Sequence, residues 1–329
     1  MAVAIAKFAR PQALQNAPPG NVPLGLVSSG ANRNDYPTFA IHEVNRVMQP
    51  FDQVSIVGVG LLGGSVAQAM RERSLAKQVV GIGRDTTKLQ NLVDNGLLDR
   101  ATINLADGVT ESDLVVICTP VDTVVPSVLE TVRNASAGCL ITDVGSTKAE
   151  IVDQVHQALG DEPCQFVGSH PLAGHHRGGA EFARADLFQG RTVVVTPDER
   201  SSAEAVERIQ EFWQELGSHV VLLAPDDHDA ALAVTSHLPH VVASALAAAT
   251  PDGILDLAAT GWRDTTRVAA SSPDLWRQIF LANRSQVLTA LNQFDQQLNL
   301  IRDAIEAEDG PELERLLAEG KRIRDAVGN

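Results

Sequence analysis

Residues 58–63 read Gly-Val-Gly-Leu-Leu-Gly. This GxGxxG run closes the short apolar segment QVSIVG and opens a stretch of helical periodicity, Leu61–Arg73. Each glycine has a physical task in such a turn. Gly58 makes the tight turn, Gly60 lets a backbone approach a pyrophosphate, and Gly63 lets the helix sit close to the strand. The first helical residues, Leu61 and Leu62, aim their N–H groups at the phosphates. A bare GxGxxG is weak, and a glycine-rich structural turn is the competing reading. Strand, helix and a second strand, QVVGIG, all flank this one. A dinucleotide is therefore the expected ligand.

The rhythm then repeats. DLVVICTP, CLITDVG, CQFVGSHP, RTVVVTP and HVVLLA are apolar strand-like runs. Helical stretches separate most of them: Thr86–Asn95, Val121–Arg133, Thr147–Leu159 and Ser201–Leu216. Such alternation gives a Rossmann-type α/β fold, a doubly wound and mostly parallel sheet with helices on both faces. After Pro225 the strand pattern stops and the chain reads as helix to its end, with Pro273–Ala307 expected as one long helix. We expect a proline-rich disordered tail over residues 1–51, with a short helix near Ile41–Met48. A dinucleotide-binding domain over 52–225 and an all-α substrate and dimerisation domain over 226–329 follow.

Charge narrows the partners. Lys and Arg number 26 against 41 Asp and Glu, a net charge of −15. So acidic a chain lacks the basic face that nucleic acid requires. An anionic substrate must be met by a few local cations. The three cysteines, Cys118, Cys139 and Cys164, show no metal-type pairing, and a reduced, cytoplasmic protein is expected. No apolar run approaches the roughly 18–20 residues of a membrane span.

In doubly wound sheets, ligands bind beyond the carboxyl ends of the strands. Thr119-Pro120, Asp143–Lys148 and Ser169–Gly174 occupy such ends. Ser146 and His170 fall at adjacent strand ends and can share a hydrogen bond. An imidazole near pKa 6.5 suits removal of a proton from an alcohol as hydride leaves. Ser146 as a helix cap and Lys148 as a surface residue are the plainer alternatives. At the end of the second strand, where an acid would hold the ribose 2′-OH of NAD, stands Gly83, followed by Arg84. That leaves space and positive charge for a 2′-phosphate and favours NADP over NAD. The alternative has Arg84 stacked on adenine or solvated, with Asp85 taking the acid's role.

The segments VGVGLLGGS, VICTPV, TDVGSTK, GSHPLAG, DDHD, SHLPH and GWRDTTR stand in this order. Through them the chain resembles the prephenate/arogenate dehydrogenase family of tyrosine biosynthesis, from about Gln53 to the C-terminus. The resemblance implies NAD(P)-dependent oxidative decarboxylation of prephenate or arogenate. It implies His170 as the catalytic histidine and Ser146 as the serine orienting it. Arg267 would bind a substrate carboxylate, His240 would line the substrate pocket, and Asp229 would belong to a network between domains. It also implies a homodimer built from the helical half.

The residues agree with this reading. His237 and His240, three apart, share a helix face. Arg263 and Arg267 are a local cation pair in an acidic protein, and Arg suits bidentate carboxylate binding. A solvated charge set with Asp264 is the alternative. A metal site from His228, Asp229, His237 and His240 lacks a further ligand at fixed spacing, so no metal is expected. The loop GHHRGG departs from the family pattern, making His175, His176 and Arg177 unusually basic. Two other classes compete: a β-hydroxyacid dehydrogenase or imine reductase, and an NADP-sensing protein without turnover. SHLPH and RDTTR argue against the first, and the pairing of Ser146 with His170 against the second.

Overall fold

The structure, a computed structural model, describes residues 48–159, 165–174 and 178–328. Residues 1–47 of the expected tail and the loop residues 175–177 lie outside the described residues. Met48 and Phe51 are already buried in the core, and the first strand starts at Phe51.

From there strand and helix alternate. In order come β1 (Phe51–Val57), α1 (Leu61–Glu72), β2 (Ala76–Ile82), α2 (Thr86–Asp94), β3 (Arg100–Thr102), α3 (Leu105–Val109), β4 (Leu114–Ile117), α4 (Val121–Asn134), β5 (Leu140–Asp143), α5 (Ala149–Leu159) and β6 (Gln165–Phe166). All six strands pair in parallel, in the order β3-β2-β1-β4-β5-β6. Strand order reverses between β1 and β4, where Val57 lies opposite Ile117. A crevice opens at such a switch point, beyond the strand ends. β1 is buried on both faces beyond the exposed Asp52, so its two buried polar residues, Gln53 and Ser55, need partners inside. Ser55 Oγ donates to Gly108 O at 2.7 Å, and Gln53 Nε2 donates to Ser112 Oγ at 3.0 Å.

The run read as one strand, CQFVGSHP, divides between two sheets. Val167 still donates to Ile141 O of β5, at 2.9 Å. The chain then crosses at Gly168, where a Cβ would stand 2.6 Å from Thr196 Oγ1. β7 (Gly168–Pro171) joins a second sheet with β8 (Thr192–Thr196) and β9 (His219–Leu222), separated in sequence by α6 (Ala203–Glu215). β7 runs antiparallel to β8, and β8 parallel to β9. His170 thus rides on the second sheet, facing the end of β5.

The remainder is helical: α7 (Pro225–Leu232), a π-helical turn (Ala233–His237), α8 (Leu238–Ala248), α9 (Thr260–Thr266), α10 (Pro273–Ala282), α11 (Arg284–Glu306) and α12 (Gly310–Ala326). The long helix expected over 273–307 is broken at Asn283, whose φ of −107° and ψ of 33° leave the helical region. Contrary to the sequence expectation, Pro225–Ala248 has the length and mean hydropathy, 1.4, of a membrane span. It also carries His228, Asp229, His237 and His240, and the first three are buried in polar contacts with other elements.

Candidate active site

The cofactor loop has the steric features its sequence demands. Gly58 adopts φ +93°, and a Cβ there would lie 2.7 Å from Cys118 O. At Gly63 a Cβ would collide with Gly58 O, so α1 packs directly on the turn. A Cβ at Gly60 would meet nothing within 4 Å, because this position faces an open cleft. No side chain caps the start of α1, so its N–H groups are available to an anion. The side chains of Leu61 and Leu62 pack on the core, leaving only their backbone for a ligand.

The cleft, about 1290 Å³, is lined by Gly58, Gly60, Gly83, Arg84, Thr119 and Pro120. Thr119 Oγ1 is buried without a hydrogen-bond partner. Arg84 is exposed and lines the cleft beside Gly83. Asp85 caps α2, its Oδ1 accepting from Lys88 N at 3.1 Å. Asp85 also lines the cleft. Asp274 and Gln278 reach the same cleft from α10, and Gln278 Oε1 is also buried and unpartnered. Neither was suggested by any motif. Cys118 lines the cleft as well; burial raises its thiol pKa well above the usual value, so it is no thiolate nucleophile.

At the end of β7, His170 Nδ1 lies 2.8 Å from His228 Nε2. His228 Nδ1 lies 2.8 Å from Asp229 Oδ1. Asp229 in turn accepts from Lys148 N at 2.8 Å and Ala149 N at 3.0 Å, at the start of α5. Asn283 Nδ2 closes the assembly, donating to Asp229 O at 2.7 Å and lying 3.1 Å from His237 Nδ1. The helix break at Asn283 is what brings its amide to α7. Ser146 stands half-buried just past β5, and among the described residues it makes no hydrogen bond to His170. The expected Ser146–His170 bond is replaced by one to His228, because β7 leaves the main sheet and turns Nδ1 toward α7.

Lys148 is no surface residue. It is wholly buried, ion-paired with Asp143, and donates to Ser169 O at 3.0 Å. Burial lowers its pKa, while the Asp143 charge opposes that. Burial also lowers the His170 pKa well below 6.5, with the charges of His228 and Lys148 adding to it. His228 is lowered too, burial outweighing the raising effect of Asp229. Both rings are neutral at neutral pH.

On the helical side, His240 stacks on Trp276 with ring centroids 3.4 Å apart. Its Nδ1 is bonded to Ser236 O at 3.0 Å. Burial lowers its pKa, and the Arg267 charge adds to this against the Ser236 bond. Arg267 thus lies close to His240, exposed and immediately after α9. Arg263 is exposed and turned back on its own chain, Nε donating to Ala258 O at 3.1 Å. Among the described residues, no group of three or more His, Cys, Asp or Glu side chains gathers as metal ligands. His228 was visible only as a metal-type residue. Its bonding role follows from tertiary placement, which no spacing encodes. Trp276 carried no signal beyond its helical position.

Residues 66–222 match the family model "Prephenate dehydrogenase, nucleotide-binding domain", and residues 224–319 match "Prephenate dehydrogenase, dimerization domain". A prephenate dehydrogenase of Bacillus subtilis is 34% identical over 283 residues, covering 84% of this chain and 76% of its own. A cyclohexadienyl dehydrogenase of Zymomonas mobilis is 34% identical over 85% of this chain and 97% of its own. Among solved structures, Aquifex aeolicus prephenate dehydrogenase, in complex with hydroxyphenyl propionate and NAD+, superposes with a TM-score of 0.78 at 31% identity. It covers 86% of this chain and 100% of its own.

Proposed function

This chain belongs to the prephenate dehydrogenase family, and from that premise we propose how its site works. The reaction is NAD(P)-dependent oxidative decarboxylation of a cyclohexadienyl substrate in tyrosine biosynthesis. The residues present fit the dinucleotide: Gly60 faces an open cleft, α1 starts uncapped, and Thr119 Oγ1 is unpartnered. Gly58, Gly60 and Gly63, the N–H groups of Leu61 and Leu62, and Arg84, Thr119 and Pro120 would hold it. When bound, the nicotinamide supplies the hydride acceptor.

His170 is the base. Its ring is neutral, and Nδ1 is fixed at 2.8 Å from His228; this single contact carries the reading, because it leaves the other nitrogen for substrate. It takes the ring hydroxyl's proton as hydride leaves the same carbon. Ser146 orients that hydroxyl from the end of β5. The substrate's carboxylate meets Arg267 beside His240, with Arg263 adding charge nearby. Loss of CO2 aromatises the ring and draws the step forward. His170→Asn is expected to lower kcat by about 10²-fold or more with unchanged cofactor affinity. Near-normal turnover would remove His170 from the mechanism. Arg267→Lys keeps the charge but loses the planar fork. It should raise KM at an unchanged Tm, whereas an unchanged KM would return Arg267 to the surface.

NADP is the favoured cofactor, resting on Gly83 and Arg84 at the cleft. Assays of prephenate and arogenate, each with NAD and NADP, settle substrate and cofactor together. The division of labour follows the change of pattern at Pro225, with residues 52–225 for cofactor and 226–329 for substrate and dimerisation. The partner is a second copy, for which exposed Leu275, Leu288 and Leu298 on the helices supply apolar surface. Cys118 is a free thiol, in keeping with a cytoplasmic enzyme.

A further inference from the structure

The geometry points to His228 as the residue that sets which nitrogen of His170 is basic, by holding His170 in the Nδ1–H tautomer. This rests on His170 being the base.

The argument runs from the carboxylate outward. Asp229 accepts two backbone N–H bonds, from Lys148 to Oδ1 at 2.8 Å and from Ala149 to Oδ2 at 3.0 Å, so both carboxyl oxygens act as acceptors. A carboxylate only accepts, so the 2.8 Å contact to His228 Nδ1 requires the proton on that nitrogen. His228 is 0% exposed, and burial keeps its ring neutral, so Nε2 carries a lone pair. The 2.8 Å contact between this nitrogen and His170 Nδ1 then needs its proton from His170. A neutral imidazole has one N–H, so Nε2 of His170 is bare. Among the described residues that Nε2 has no hydrogen-bond partner. The opposite assignment, a charged His228 donating to His170, would leave His170 with Nε2–H, a donor that cannot accept a hydroxyl proton.

In the reaction the substrate O–H proton passes to His170 Nε2, and the C–H electron pair leaves with the hydride. His170 becomes an imidazolium that still donates Nδ1–H to His228, so no bond inside the relay has to be remade. Four other groups set the electrostatics of this pair. The Lys148–Asp143 ion pair faces it from the end of β5, Asp229 from α7, and His237 from the π-helical turn. Lys148 and His237 disfavour a second positive charge, whereas Asp143 and Asp229 raise the His228 pKa. His228 is thus a positioning residue that never touches substrate.

The test uses the full chain. With histidine 15N-labelled and the His170 signals assigned by their loss in His170→Asn, imidazole 15N shifts identify the tautomer directly. The expected result is Nδ1–H with a bare Nε2. An Nε2–H resting tautomer overturns the inference, whatever the kinetics. In parallel, His228→Leu should lower kcat about tenfold or more. KM and the cofactor Kd should change little, and the acid limb of the kcat pH profile should move. His228→Gln, whose amide can donate to Asp229 and accept from His170, should recover part of that loss. A folded His228→Leu enzyme with normal kcat and pH profile overturns the inference, even where His170→Asn is inactive. Normal turnover in His170→Asn instead defeats the underlying assignment of the base, and the NMR result distinguishes the two failures.

Discussion

Around the parallel sheet, Trp213, Phe212, Phe188 and Leu216 are fully enclosed, with Trp213 meeting both phenylalanines edge to face. Along the helices after Pro225 many large apolar residues face outward: Leu257 is 82% exposed, Leu281 61% and Leu317 59%, while Leu232, Ile279 and Val287 are buried. The buried apolar positions there are few and mostly small, such as Ala233, Ala243, Ala290 and Ala304. One half closes its own core. The other holds its place through a polar knot, Asp229, Asn283 and the histidines, and keeps apolar surface for another molecule. The buried, neutral histidines lie where the two meet.

That contrast can be broken at several points. The largest effect is expected inside the sheet half: Trp213→Ala should cost about 3–5 kcal/mol, seen as a large drop in Tm. A small drop would mean that this core is not self-sufficient. Next comes acid. His237 is 1% exposed, and burial pushes its pKa down to about 4. Its folded pKa lies below its unfolded one, so its contribution is complete above about pH 6.5 and is lost as pH falls toward 4. The loss is about 3 kcal/mol, and His170 and His228 act in the same direction. A Tm flat between pH 7 and 4.5 would contradict the buried, neutral histidines.

Cofactor choice tests the sheet half alone. Arg84→Ala should weaken NADP by about 1.5–3 kcal/mol, ten- to hundredfold, and leave NAD nearly unchanged. Gly83→Asp with Arg84→Ile should invert the preference, given that Leu89 yields slightly to a Cβ 3.3 Å away. An unaltered NADP/NAD ratio would return Arg84 to the solvent. The smallest effect on the fold is expected in the helical half: Leu298→Glu, on a residue 43% exposed, should change monomer stability by about 0.5 kcal/mol or less. It should nonetheless halve the mass measured by light scattering. A wild-type protein that scatters as a 35.0 kDa species at every concentration would show that the exposed leucines serve another purpose.

The same contrast explains what could be read from the chain. In the sheet half, local pattern and tertiary role coincide. A run such as QVSIVG is buried because most of it is apolar and its Gln53 and Ser55 find partners inside, and Gly58 and Gly63 are needed for reasons visible in six residues. The short strand Arg100–Thr102 and the transfer of residues 168–171 to a second sheet were not visible, because each depends on a neighbour far away in sequence. In the helical half, Pro273–Ala307 has unbroken helical periodicity, and only a partner 54 positions away makes Asn283 leave it. His170 was legible from its motif. The residue that bonds it was not, since His228 lies 58 positions further on and the contact exists only after folding.

Asp143 and Lys148 pair with both side chains fully buried, and Lys148 also ties the end of β5 to Ser169 of β7. Removing one partner of such a buried pair costs about 3–5 kcal/mol, whereas replacing both with apolar groups of matching volume is often neutral. The two codons therefore behave as one locus. Either single substitution is expected to destabilise this corner, while an apolar pair of matching volume is expected to be tolerated.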